Sequence, residues 1–171
     1  MEDISVILDD SETPPAIKFP PVFNVAVPFI DRHLKEGRAR KVAIRTNDED
    51  VTYGQLAENV SRYGNALLSL GIKPKERALM VVKDSPEFVG IFFGTIKAGV
   101  IPIPVNTMMR VSDYEYLIED SGCKVLIYSP EFTETVEEAL EQADHAPAQS
   151  LTVTQLSKEA AKASAELLPA P

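Results

Sequence analysis

Cysteine occurs once in the 171 residues, histidine twice, and lysine plus arginine 17 times against 26 aspartates and glutamates. Each shortage excludes something. A single thiol, Cys123, cannot close an intramolecular disulfide, and with His33 and His145 as the only imidazoles no Cys/His group has the spacing of a structural zinc site. A formal charge of −9 argues against nucleic acid or an acidic membrane as partner, because phosphate backbones are bound mainly by lysine and arginine. No apolar run approaches the ~18 residues of a membrane span, and no signal-peptide core opens the chain, so a reducing, cytoplasmic setting is expected. G-x-G-x-x-G, a Gly-rich loop ending in Lys-Ser/Thr, and G-x-S-x-G are also absent. They are the usual marks of a phosphate cradle and of a serine nucleophile. What remains, 44% hydrophobic and 25% charged, is the composition of one globular domain with a real core.

The chain is organised around residues 96 to 107, IKAGVIPIPVNT. An apolar helix end meets Gly99, a β-branched run from Val100 to Val105 follows, and the polar pair Asn106-Thr107 stops it. Such a run suits a strand covered on both faces, and Asn106-Thr107 falls at the carboxyl end where ligands of open α/β sheets collect. Pro102 and Pro104 remove two ladder donors, which predicts incomplete pairing or a local break.

Around this junction strands and helices alternate. Residues 1–22, with four acids in the first ten positions and Pro14, Pro15, Pro20 and Pro21, are expected to form an extended arm. A short amphipathic helix ending near Gly37 and a small β-hairpin over 41–52 follow. Thr52-Tyr53-Gly54-Gln55 has capping-box spacing, and Leu56, Val60, Tyr63, Leu67 and Leu70 form one apolar stripe, so a helix is predicted over 53–70. Strands are predicted at 78–82, 100–105, 124–128 and 150–154. Helices are expected to open at Ser85-Pro86-Glu87-Phe88, at a second capping box from Ser112, and at Ser129-Pro130-Glu131-Phe132, with helix-prone residues at 160–168. The alternation predicts an α/β fold: a mostly parallel, doubly wound sheet with helices on both faces and right-handed crossovers. The domain boundaries expected are 1–22 for the arm, 23–168 for the α/β unit and 169–171 for a linker.

Few residues invite chemistry. Gly54 and Gly64 fit close packing, and Gly71, Gly99 and Gly122 fit helix stops. Ser85 and Ser129 are expected to be caps, Asp84, Glu87 and Glu131 first-turn acids, Cys123 a small core residue, and His33 and His145 surface groups. Met108-Met109 reads as flexible core filling, with an apolar tunnel as the alternative. Arg110, just past Asn106-Thr107, is the one charged group placed to reach a phosphate at the sheet mouth; a solvated loop arginine is the ordinary alternative.

Two stretches carry a resemblance. Val51-Thr52-Tyr53-Gly54-Gln55-Leu56 resembles the first core motif of the adenylate-forming enzymes, and Ile96 to Pro104 resembles the second. Phe23-Asn24, Gly37-Arg38, Val105 to Met109 and Asp113 to Leu117 look like the benzoate and 4-hydroxybenzoate CoA ligases. The resemblance implies a carboxylate activated by MgATP with release of pyrophosphate, then acyl transfer to coenzyme A. It also implies that the phosphate loop, acid pocket, ribose-binding aspartate and catalytic lysine lie beyond Pro171. The chain is therefore expected to be the first subdomain of a ligase about three times as long, inactive alone and without catalytic residues of its own. Arg110 is its candidate for a coenzyme A phosphate, although Met108 stands where some relatives have a basic residue. Expected partners are the remaining polypeptide, an aromatic carboxylate, ATP with Mg2+, coenzyme A, and a second copy packed on an exposed apolar face. Alternatives left open are a fatty acyl-CoA branch of the same enzymes and a non-catalytic flavodoxin-like binding module.

Overall fold

A computed structural model describes residues 7–11 and 13–171. Four strands form its main sheet: β5 (Arg77–Val81), β6 (Ile101–Pro104), β7 (Val125–Tyr128) and β8 (Gln149–Thr152) lie in the order β6-β5-β7-β8, all parallel. β5 and the residue after it send Ala78, Met80 and Val82 to one face, with Val125 and Ile127 of β7. There they pack beneath α2 (Tyr53–Ser69), α3 (Pro86–Lys97) and α6 (Val153–Lys162) through Leu67, Ile91 and Leu156. Leu79, Val81, Leu126 and Tyr128 point the other way, onto α4 (Val111–Ser121) and α5 (Thr133–Gln142) through Tyr114, Ile118 and Val136. The expected doubly wound sheet with helices on both faces is thus observed, with the period-two alternation of its strands feeding two cores.

Smaller elements flank this unit. Of the expected arm, residues 1–6 and 12 lie outside the described residues; β1 (Ile7–Asp9) and β2 (Ala16–Lys18) pair antiparallel. A turn of π-helix over Val27–Asp31 continues into α1 (Arg32–Lys35). The predicted hairpin is β3 (Val42–Arg45) against β4 (Asp50–Thr52), which packs with Ile30 on the outer side of α2. Among the described residues no helix is long and apolar enough to cross a membrane.

Four expectations are corrected. β6 is not covered on both faces, and its pairing is incomplete in a particular way: it is the sheet's edge, bonded on one side only, in full register with β5 from Arg77↔Ile101 to Met80↔Pro104. Ile101 N–H donates to the Glu76 carbonyl and Val105 N–H to that of Met80, so strand alternation turns the nitrogens of Pro102 and Pro104 outward, where no donor is needed. α4 starts at Val111, not after Ser112, because the Asp113 carboxylate reaches back to the Arg110 N–H at 3.0 Å. The last strand ends at Thr152, where a capping box of Thr152 and Gln155 starts α6; residues 163–170 are not helical and run along α2 and α3. Met108 is not core filling, being 89% exposed.

The helix pair α2–α3 is held very close at two glycines. A Cβ on Gly94 would stand 2.6 Å from the Val60 carbonyl oxygen and 3.0 Å from the Gly64 nitrogen. Alanine gains about 1 kcal/mol of helix propensity over glycine, but overpacking against backbone that cannot swing aside costs about 1–3 kcal/mol or more. Gly94→Ala is therefore expected to destabilise the fold, seen as a lower urea midpoint at unchanged m-value.

Candidate functional site

The direction of the chain reverses at β5. From β5 it passes by α3 to β6 on one side, then by α4 back across to β7 on the other, so α3 and α4 lie on opposite faces. The loops leaving β5 and β6 consequently diverge, and a crevice opens at their carboxyl ends. It has a volume of about 530 Å³ and is lined by Val82, Lys83, Asp84 and Phe88 on one side and Pro104, Val105, Asn106 and Thr107 on the other. Asn106-Thr107 is where the sequence placed it.

Each wall is fastened locally. Ser85 caps α3 as predicted, accepting the Phe88 N–H at 3.3 Å. Ser129 does not cap a helix: only 2% exposed, its Oγ accepts the Lys83 N–H at 3.1 Å and ties the end of β7 to the crevice floor. The helix after it instead begins with a 3-10 turn, Pro130–Phe132. Tyr114 Oη, buried under α4, donates to the Asn106 carbonyl at 3.1 Å, and Asn106 Oδ1 accepts the Met108 N–H at 2.8 Å, which fixes the turn on the other wall. Lys83 Nζ meets Glu131 at 2.5 Å; that hydrogen bond raises the lysine pKa and lowers that of the carboxylate. Both groups are exposed, so the pair adds little to stability.

The other candidates fall elsewhere. Arg110 does not line the crevice; it is the N-cap residue of α4, exposed, with no partner for its guanidinium among the described residues. Cys123 is buried, and burial pushes its thiol pKa up, the opposite of a reactive cysteine. His145 is exposed. His33 is more than a surface group: it stacks on Tyr53 at 3.9 Å between ring centres, and its Nδ1 accepts from Arg38 Nε at 2.9 Å. The residue that sequence reading passed over is Lys97, 5% exposed, bonded to Asp31 at 2.7 Å. Its position amid the apolar Ile96, Ala98 and Gly99 is the available signal.

Among the described residues no group of three His, Cys, Asp or Glu is placed to hold a metal ion. None of the eight glycines lies at a strand-to-helix turn of this crevice, so its residues do not make a triphosphate cradle. The crevice offers one lysine, one aspartate, an amide, a hydroxyl and an aromatic ring, groups that orient a ligand by hydrogen bonds and stacking.

A doubly wound unit with its crevice at this reversal places the chain in a known class: residues 30–170 match the AMP-binding enzymes, and the chain belongs to that family. Within it, the chain is 44% identical over 126 residues to the benzoate–CoA ligase of Thauera aromatica, covering 73% of this chain and 24% of that protein. It is 38% identical over 123 residues to the 4-hydroxybenzoate–CoA/benzoate–CoA ligase of Rhodopseudomonas palustris, covering 72% and 23%. A benzoate CoA ligase from Burkholderia xenovorans LB400 superposes with a TM-score of 0.78 at 30% identity, over 87% of this chain and 30% of its own. The chain spans about a quarter of the length of the curated relatives it matches.

Two outcomes follow. Ser129→Ala leaves the Lys83 N–H without its partner and is expected to cost about 1–2 kcal/mol, no less than the ~1 kcal/mol of the cap lost in Ser85→Ala, by urea denaturation. For His33, loss of solvation and then the charges of Arg38 and Arg32 hold the folded pKa below the ordinary value. The folded state therefore binds fewer protons than the unfolded one, and stability falls as pH drops through about 6.5. His33→Gln is expected to flatten the fall in urea midpoint between about pH 6.5 and 5.

Proposed function

We propose that this chain is the first α/β unit of an ATP-dependent aryl-CoA ligase. In such a ligase an aromatic acid, benzoate or a hydroxybenzoate, reacts with ATP to give an acyl-adenylate and pyrophosphate, and the acyl group then passes to coenzyme A. The observation that carries this reading is the 44% identity to a benzoate–CoA ligase, sustained over nearly three-quarters of the chain. The motifs around Thr52 and Gly99 support it, because each sits at a structural joint: the first caps α2 and the second turns α3 into β6. A solved anthranilate CoA ligase with anthranoyl-AMP bound has the same fold over 89% of this chain, at 29% identity and a TM-score of 0.81.

In this reading residues 23–168 are a scaffold, residues 1–22 an arm and residues 169–171 a connection onward. ATP and Mg2+ are held by parts of the full-length ligase other than this unit, since the crevice has no cradle for them, and no catalytic step is assigned to a residue here. Arg110 is proposed to meet a coenzyme A phosphate: its guanidinium is exposed, and it stands at the positive N-terminus of α4. The exposed apolar groove formed by Ile17, Phe19, Phe23 and Phe29 is the surface for the remaining polypeptide or for a second copy.

The test is a chimaera. Residues 30–170 replace the matched stretch of the Thauera aromatica benzoate–CoA ligase, and benzoate-dependent pyrophosphate release is measured. The chimaera is expected to turn over, Arg110→Ala in it to raise the KM for coenzyme A several-fold, and the 171-residue chain by itself to release no pyrophosphate. A folded but inactive chimaera overturns the assignment.

A further inference from the structure

We propose that the furrow along α2 and α3 is a seat for an extended peptide segment, occupied by residues 163–170, and that this segment is a strap that also fastens the N-terminal arm where it runs on past residue 22, through Asn24. The contacts are of an unusual kind: the helices read the segment through its backbone. Arg62 Nη1 donates to the carbonyls of Ala161 and Ala163 at 3.3 and 2.7 Å. Asn65 Nδ2, one turn along α2, donates to those of Ser164 and Glu166, both at 2.9 Å. Three carbonyls of the segment, and that of Ala161 in the last turn of α6 just before it, are thus held by two side chains, whatever side chains the segment carries. The largest side chain it contributes is Leu167, which lies directly over Gly64, where any Cβ would collide with it, and packs onto the core beneath α2 and α3; the Ala170 methyl stands over Gly99 in the same way.

Farther along, the strap and the arm meet at the last turn of α3. Ala170 N–H donates to the Lys97 carbonyl at 2.9 Å. Asn24 Nδ2 donates both to the Ile96 carbonyl at 2.9 Å and to the Ala170 carbonyl at 3.0 Å. The Lys97 carbonyl is closed by Ala170, and the Ile96 carbonyl, which already accepts the Gly99 N–H, takes a second bond from Asn24, so residues 146 positions apart in sequence meet at this helix end. Beneath them, Lys97 Nζ bonds Asp31, which follows the same arm. Asn24 therefore belongs to both attachments, and loosening either one weakens the other. Beyond Leu167 the strap buries only parts of three small residues, Ala163, Ala165 and Ala170, while Ser164, Glu166, Leu168 and Pro169 are exposed. A segment with few apolar contacts opens locally before the sheet does, so the furrow can be vacated without unfolding. The ligand class it then fits is an extended peptide with free carbonyls and one leucine, which residues 163–170 supply within the chain.

Amide hydrogen exchange on the whole 171-residue chain tests this. The Ala170 amide is expected to be protected, although its neighbours are exposed. Arg62→Ala with Asn65→Ala, neither of which touches the arm, is expected to speed exchange at Ala170 and at Val27 and Phe29 by about tenfold, the size of one or two lost hydrogen bonds. Asn24→Ala is expected to release Ala170, while Leu126 and Ile127 in the sheet keep their rates in all variants. Open-chain exchange at Ala170 in the unaltered protein overturns the proposal, as does a double variant that leaves Ala170 unchanged or frees it without affecting Val27 and Phe29. If the double variant also loses protection at Leu126, Leu167→Ser, which touches only the strap's anchor, is read by the same criteria.

Discussion

The reversal of the chain at β5 is the constraint on which the rest depends. β5 is bonded on both sides and carries no polar side chain between Ala78 and Val81, so it is buried on both faces and its neighbours must come from separate connections. A connection leaving to one side places its helix on one face of the sheet; a connection leaving to the other side places its helix opposite. The crevice is the gap this leaves, and its two walls, Val82 to Phe88 and Pro104 to Thr107, are the first residues of those two departures. Its position is thus a property of topology, while its chemistry belongs to whichever residues happen to stand there.

Close helix packing transmits that geometry to the far end of the molecule. With glycine at 64 and 94, α3 approaches α2 until backbone nearly touches backbone. α3 starts at the crevice with Ser85 and ends at the carbonyls of Ile96 and Lys97, where the arm and the strap converge. The Lys97–Asp31 pair holds the same turn. Buried ion pairs add little net stability, because desolvation offsets attraction, but either partner alone would be a buried uncompensated charge. The pair therefore specifies where the arm must lie more than it strengthens the fold.

What could be read in the sequence was local, and what could not was set by a distant partner. The capping box at Thr52 and the apolar stripe from Leu56 to Leu70 announce α2 because cap and periodicity coincide. The equal box at Thr152 fixes the start of α6 and outweighs the alanine-rich composition after it, which predicts a helix farther along, over 160–168. Pro102 and Pro104 looked like defects in a buried strand until the strand order showed β6 at the edge, where their missing donors cost nothing. Ser129 has the same local sequence as Ser85, yet its hydroxyl bonds Lys83, 46 residues away, and no neighbouring residue signals that. The family motifs were legible for the opposite reason: each is a joint whose residues are all close in sequence.

A fold of this kind supports many chemistries, and function must be argued from groups that converge. Here the crevice gathers one lysine already paired with Glu131, one exposed aspartate and the polar Asn106-Thr107 turn. A paired ammonium is a poor proton donor, since its pKa is raised, and the carboxylate partner is correspondingly a weak base. Such groups are suited to orienting a ligand by hydrogen bonds and charge. The unit is accordingly built for rigidity: two cores, a glycine-locked helix pair and caps at the crevice walls keep a binding edge in place. The reacting groups of the proposed ligase are then to be sought in parts of the ligase other than this unit.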